Sequence, residues 1–275
     1  MMMSRGLLSV HGFILRFAML AIVAAVATVS SMSHANAQSL DEILSRKKIV
    51  VGLIQDFPPF GFINAEQRPA GYDVDVAQLM GKYLGVDVEL VPVSGANRIP
   101  YLLSKRVDIL VASLGITPER AKQVVFTIPY AATQSTVIAP VSTRIKTLDD
   151  LAGIRVAVAR GSSNDIFISK MAPKGINLQR FDGEGVTSQA LLSGQVQALV
   201  MTNTMLPSVL KSAGDNKLES KIVLQQQENA IALRRDAMEL RQWINTFIYY
   251  IKNNGELDAI HRKWLEAPLP TLRTF

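Results

Sequence analysis

Short apolar runs rich in β-branched residues alternate with amphipathic stretches along residues 48–213, in the order β-α-β-α-β, twice over. No other feature constrains the fold as tightly, because such runs read as strands buried on both faces of a parallel sheet. In the first unit, strands are predicted at 49–54, 86–93 and 107–112. The helix between the first two carries Val76, Leu79, Met80, Tyr83 and Leu84 at helical spacing and ends at Gly85. A second helix is predicted at 99–105. After a capped turn at 147–151, the second unit has strands at 154–159, 176–181 and 196–201 and helices at 165–171, 186–193 and 204–213. Two short strands, 222–224 and 231–234, and two helices, 238–252 and 257–265, close the chain. A repeated βαβαβ unit predicts two open parallel sheets with a crevice between them, and ligands in such sheets sit beyond the carboxyl ends of the strands. Function is therefore expected after Ile54, Ala112, Ala159 and Met201.

Composition removes several kinds of chemistry. The 275 residues contain no Cys and three His, of which His11 and His34 fall in the first 37 residues. Thiolate nucleophiles and Cys-based metal sites are excluded, and neither a metal site nor a catalytic residue is predicted. His261 is expected to be exposed and to have no role. After residue 37 there are 27 basic and 23 acidic side chains, interspersed, so the net charge of +4 makes no stripe for nucleic acid. Residues 1–37 read as a cleaved secretory signal: Arg5 and Arg16 flank the start of an apolar run, which gives way to Ser and Thr and then to Ala35-Asn36-Ala37. The protein is thus expected to be exported.

The strand-end loops carry the candidate site. Gln55-Asp56-Phe57-Pro58-Pro59-Phe60 is an aromatic loop stiffened by two prolines. Ser113-Leu114-Gly115-Ile116-Thr117-Pro118-Glu119-Arg120 ends a strand and opens a helix, with Thr117 as N-cap and Pro118 at N1. Free backbone amides there, with the planar fork of Arg120, suit a carboxylate. Arg160-Gly161-Ser162-Ser163-Asn164 makes a second such terminus, and Arg98 leads from Ser94-Gly95-Ala96-Asn97 into a helix. Asp182-Gly183-Glu184-Gly185 reads as a solvated turn.

Phe57-Pro58-Pro59-Phe60, Gly71-Tyr72-Asp73-Val74-Asp75-Val76-Ala77, Arg98-Ile99-Pro100-Tyr101-Leu102, Ile116-Thr117-Pro118-Glu119-Arg120, Phe126-Thr127-Ile128-Pro129-Tyr130 and Leu148-Asp149-Asp150-Leu151-Ala152-Gly153 fall in the order and spacing of a known family. In these motifs the chain resembles the periplasmic solute-binding proteins of polar amino acid ABC importers. The resemblance implies an α/β, two-lobe clamshell of type II with two hinge crossings, near 130–137 and 224–230. It implies a first lobe at 38–133 and 228–275, a second lobe at 134–227, and closure around a solute. It further implies a monomer without cofactor that delivers a small carboxylate-bearing solute to an inner-membrane permease. Carried over, Arg120 grips the ligand carboxylate with help from Ser113 and Gly115, and Phe57 covers the ligand. Ser162 and Ser163 contact the carboxylate from the second lobe, and Arg98 stands where binders of acidic amino acids place an Arg. The family's usual acid for the α-ammonium is replaced by Thr202 and Asn203. The site thus keeps a carboxylate clamp and loses an amine clamp, which points to an organic acid or to an amino acid held by neutral oxygens. The rival reading is an enzyme on the same fold, resembling cyclohexadienyl dehydratases, with Asp56, Asp165 or Glu184 as the acid.

Overall fold

Eleven strands and nine α-helices are found among the residues described by the computed structural model, 40–214 and 217–274. The proposed signal, 1–37, lies outside them. An added first helix, α1 (Leu40–Arg46), precedes β1 (Lys48–Ile54). A hairpin sheet of β2 (Asp56–Phe57), β3 (Gly61–Ile63) and β4 (Pro69–Ala70) follows. Then come α2 (Tyr72–Leu84), β5 (Asp87–Val93), α3 (Arg98–Leu103), β6 (Ile109–Gly115) and α4 (Pro118–Ala121). The long β7 (Val125–Pro140) leads to β8 (Arg155–Ala159), α5 (Ser163–Met171), β9 (Asn177–Phe181), α6 (Glu184–Leu192), β10 (Ala198–Thr202) and α7 (Leu206–Ala213). A second long strand, β11 (Leu218–Leu233), precedes α8 (Met238–Asn253) and α9 (Glu256–Leu265).

The predicted pair of separate parallel sheets is corrected to one eight-stranded mixed sheet, β5-β1-β6-β11-β7-β10-β8-β9. The cause is β7 and β11, each 16 residues long and antiparallel to each other along nearly their whole length. At one end β11 pairs with β6 through Asn229–Leu233, and at the other β7 pairs with β10 through Ser135–Ile138. Between those pairings, around 132–134 and 226–228, only two strands continue. A two-stranded ribbon is the weakest bending point of a sheet, so the fold is two lobes on a narrow joint. Within each lobe the strands are parallel: β1 to β5 and β6, and β8 to β9 and β10.

Alternation along the second-lobe strands buries both faces. Val156, Val158, Ala198 and Val200 turn into one core with Leu151 and Ile168, while Ala157, Leu199 and Met201 turn the other way with Leu191, Met205 and Val209. In the first lobe α2, α8 and α9 cover the sheet through Val76, Met80, Leu240, Ile244, Ile248 and Leu257. Among the described residues no helix is long and apolar enough to cross a membrane.

Candidate functional site

All four strand ends singled out by the sequence meet at one internal cleft. Its walls include Ile54, Phe57, Gly95, Arg98, Ser113, Ala159, Ser162, Ser163, Asn164 and Thr202, together with Gln227 of the ribbon. Its open space, about 30 Å³, admits one or two water-sized groups, so a solute enters only when the lobes part.

Arg120 bridges the two lobes beside this cleft, touching its wall at Ser163. Thr117 caps α4 through its hydroxyl, which accepts from the Arg120 amide at 3.3 Å, and Pro118 occupies N1 as predicted. The guanidinium donates to the Gly115 carbonyl (2.7 Å) in the first lobe and to Ser163 Oγ (2.7 Å) and the Gly161 carbonyl (3.0 Å) in the second. It is 4% exposed and held by neutral oxygens, while the neighbouring Glu119 is turned to Lys170. Burial, and then the nearby charge of Arg98, pull its pKa down against the smaller opposing pull of Glu119. A buried guanidinium without an ion pair carries a large desolvation cost.

Arg98, 3% exposed, points into the cleft and not to solvent. The loop before it is pinned by Ser94 and Asn97, whose amides each donate to the other's side chain. Its Nη1 donates to the Ala112 carbonyl (2.7 Å), whereas its Nε is buried with no partner. Burial lowers its pKa to about 10 against the opposing pull of Glu184, Tyr130 and Asp73.

Ser113 adopts a left-handed conformation (φ 45°), and its donors are committed inward. Its amide donates to Tyr130 Oη (3.1 Å) and its hydroxyl to Asp73 Oδ2 (2.8 Å). Tyr130 donates to Asp73 Oδ1 at 2.6 Å, so both oxygens of this buried acid are taken. Burial still raises Asp73 to about 7, outweighing the two hydroxyls and Arg98. Ser113 therefore shapes the wall of the cleft through Asp73. Phe57 is 6% exposed and stacks on Phe60 at 5.4 Å, and Phe60 packs on Tyr72, which carries the aromatic chain into the core. Ser162 caps α5 by accepting from the Asp165 amide, and Thr202 ends β10 at the cleft.

Three expectations are corrected. Asn203 leaves the cleft: its Oδ1 accepts from the Gln134 amide, and it lines a separate outer cavity beside the ribbon. His261 is buried, not exposed, with Nδ1 2.7 Å from the Ala267 carbonyl, so that nitrogen carries a proton, and its ring is edge-on to Tyr72. Glu184 is no part of a solvated turn. It is 8% exposed, it lines the cleft, and its Oε2 is buried without a partner. Asp56 Oδ2 accepts from the amides of Glu184 (2.9 Å) and Gly185 (3.3 Å), clipping the start of α6 to the first lobe. Gly183, at φ 138°, allows that approach, since a Cβ there would lie 2.5 Å from Asp56 Oδ2. Burial first, then Asp56, raise Glu184 to about 7, and Arg98 opposes them. Reading the end of β9 by the rule applied to the other parallel strands would have found it, because Glu184 follows Phe181 by three residues.

Two glycines set how closely the lobes approach. A Cβ on Gly95 would lie 2.8 Å from the Arg160 carbonyl oxygen, and one on Gly161 would lie 3.0 Å from the Gly95 carbonyl oxygen. Gly95→Ala is expected to wedge the lobes apart and weaken solute binding about tenfold, as overpacking of this kind costs 1–3 kcal/mol. Calorimetry measures the affinity and small-angle scattering the opening; an unchanged affinity would remove this contact from the closing movement.

The model of the bacterial extracellular solute-binding proteins, family 3, matches residues 49–267. The L-cystine-binding protein TcyJ of Escherichia coli K12 is 29% identical over 247 residues, which is 89% of this chain and 92% of that one. The cyclohexadienyl dehydratase of Pseudomonas aeruginosa is 27% identical over 91% of this chain and 96% of its own. A variant of the protein ArgBP from T. maritima superposes with a TM-score of 0.77 at 33% identity, over 83% of this chain and 99% of that one. With the match spanning both lobes, the ribbon and every wall of the cleft, the chain belongs to the family 3 bacterial extracellular solute-binding proteins.

Proposed function

We propose that the protein is the periplasmic solute-binding component of an ABC importer, which captures a small carboxylate-bearing solute, an amino acid or a relative of one, by closing its lobes and hands it to an inner-membrane permease. The observation that carries this reading is the pair of buried guanidiniums, Arg98 lining the interlobe cleft and Arg120 beside it against the cleft residue Ser163, without an ion-pair partner among the described residues. Relatives named for cystine and for arginine binding support an amino acid as solute. Residues 1–37 are the export signal, and residues 132–134 and 226–228 the hinge between a second lobe at 134–227 and a first lobe made of the flanking segments.

Calorimetric titration with the common L-amino acids, L-cystine, succinate and glutarate is expected to find at least one ligand that binds at micromolar affinity or tighter. No binding across the panel would reject the reading. A second reading, a periplasmic dehydratase, draws on one observation: Glu184, an acid near pKa 7, lines the cleft. The other two candidate acids are committed, Asp56 to the α6 amides and Asp165 to Arg180 and the Gly161 amide. Incubation with prephenate or arogenate separates the readings, and no product is expected.

A further inference from the structure

The cleft contains one acid that the carboxylate clamp leaves unused. Asp56 fixes the first turn of α6, so Glu184 is held at the cleft wall by a backbone it does not control. Its Oε2 is buried and accepts from no donor, and Arg98 Nε is buried and donates to no acceptor. The two side chains influence one another electrostatically yet form no ion pair. An acceptor and a donor of opposite charge that share a small cavity without bonding each other leave a place for a group that satisfies both.

The remaining charges around them are spent. Asp73 is saturated by Tyr130 and Ser113, Asp56 by the α6 amides, and Arg160 by Asp182 and the Arg180 carbonyl. Among the described residues neither Arg98 nor Arg120 is ion-paired, although Arg120 already donates to three neutral oxygens, and Glu184 Oε2 accepts from no donor, so the complementary set is two carboxylates and one ammonium. We propose that Glu184 receives the α-ammonium group of the solute, in the role that Thr202 cannot fill, and that the solute is an α-amino acid with a second carboxylate, held between Arg120, Arg98 and Glu184. The inference rests on the solute-binding reading of the cleft. It also replaces the expectation that the site has lost its amine clamp, for the acid comes from the start of α6 and not from the end of β10.

The test titrates wild type and Glu184→Gln with L-glutamate, with glutarate, which has the same two carboxylates and no amine, and with L-glutamine, which lacks the second carboxylate. Wild type is expected to bind L-glutamate at least 30-fold more tightly than either analogue. Glu184→Gln is expected to lose 30-fold or more for L-glutamate while glutarate stays within about threefold, since truncating one member of a buried charge pair has effects of this size. The assignment of Glu184 is overturned if wild type binds glutarate as well as L-glutamate, if the variant keeps the preference for the amine, or if it loses both probes equally, as a structural role would require. Binding of other amino acids with no binding of L-glutamate or L-aspartate overturns the dicarboxylic class and leaves the transport reading standing. Failure of the whole panel overturns that reading itself.

Discussion

Arg120→Met is expected to abolish solute binding, with an affinity loss of a thousandfold or more, while leaving the protein folded. The guanidinium bonds to both lobes beside the cleft: Gly115 on one side, Gly161 and Ser163 on the other. Methionine fills a similar apolar volume and removes the charge. A solute carboxylate would then enter a buried site with one fewer cation, a loss of about 4 kcal/mol or more. The effect on folding has a different sign. A desolvated cation without a counter-ion destabilises the closed form, so its removal offsets much of the cost of leaving three acceptors without their donor. A melting temperature within a few degrees of wild type, with no upward shift on adding the solute that stabilises wild type, is the predicted pair of results. A variant that still gains stability from the solute would show that the carboxylate is held elsewhere.

The sequence made much of this legible, and the physical reasons for the failures are specific. β1 and β6 can be read because Ile49, Val51 and Leu53 on one face, Val50 and Ile54 on the other, and Ile109–Ala112 are all apolar, as a strand covered on both sides must be. β7 was missed as one element because its buried positions include Thr127, Thr133, Ser135 and Thr136, and Pro129 interrupts it. Those polar side chains are satisfied by specific partners, Thr136 with Ser220 and the Ile222 carbonyl, and Thr127 with the Ile231 amide, which no hydrophobic pattern encodes. The sequence pattern of β11 reads as two short strands for a related reason: the polar run Gln225–Asn229 lies largely in the two-stranded ribbon, where no third strand demands an apolar face. Arg120 was found because a Thr-Pro cap announces a helix start and fixes where the third helical residue points. Glu184 was not, because flanking glycines signal a turn by their backbone freedom and say nothing of what lies opposite. What lies opposite is Asp56, 128 positions away in sequence. The burial of His261 is not legible in the sequence because it depends on the chain returning over it, with Ala267 closing the contact.

The two buried acids predict a stability that falls as pH rises. Glu184 is held at about 7 against an ordinary 4.5, and Asp73 at about 7 against 3.8, in both cases chiefly by burial. Since both folded-state values are raised, the folded chain binds protons that the unfolded chain has already released. Their contribution is complete below about pH 4 and is lost progressively until pH passes 7. Between pH 5 and pH 8 each carboxyl loses about 3 kcal/mol of its contribution, so the melting temperature without added solute is expected to fall over that range by on the order of 10 °C. Glu184→Gln should flatten part of that slope, because an amide keeps the volume and never ionises; Asp73, satisfied by Tyr130 and Ser113, supplies the rest. A solute ammonium beside Glu184 would reverse the local balance by giving the ionised form a partner, so saturation with L-glutamate should flatten the wild-type slope as the substitution does, and binding near pH 7 should release a fraction of a proton. Calorimetry in two buffers of different ionisation enthalpy reads that release directly. A wild-type melting temperature independent of pH over this range would mean that neither acid keeps its proton in the closed cleft, and no proton release on binding would separate Glu184 from the solute.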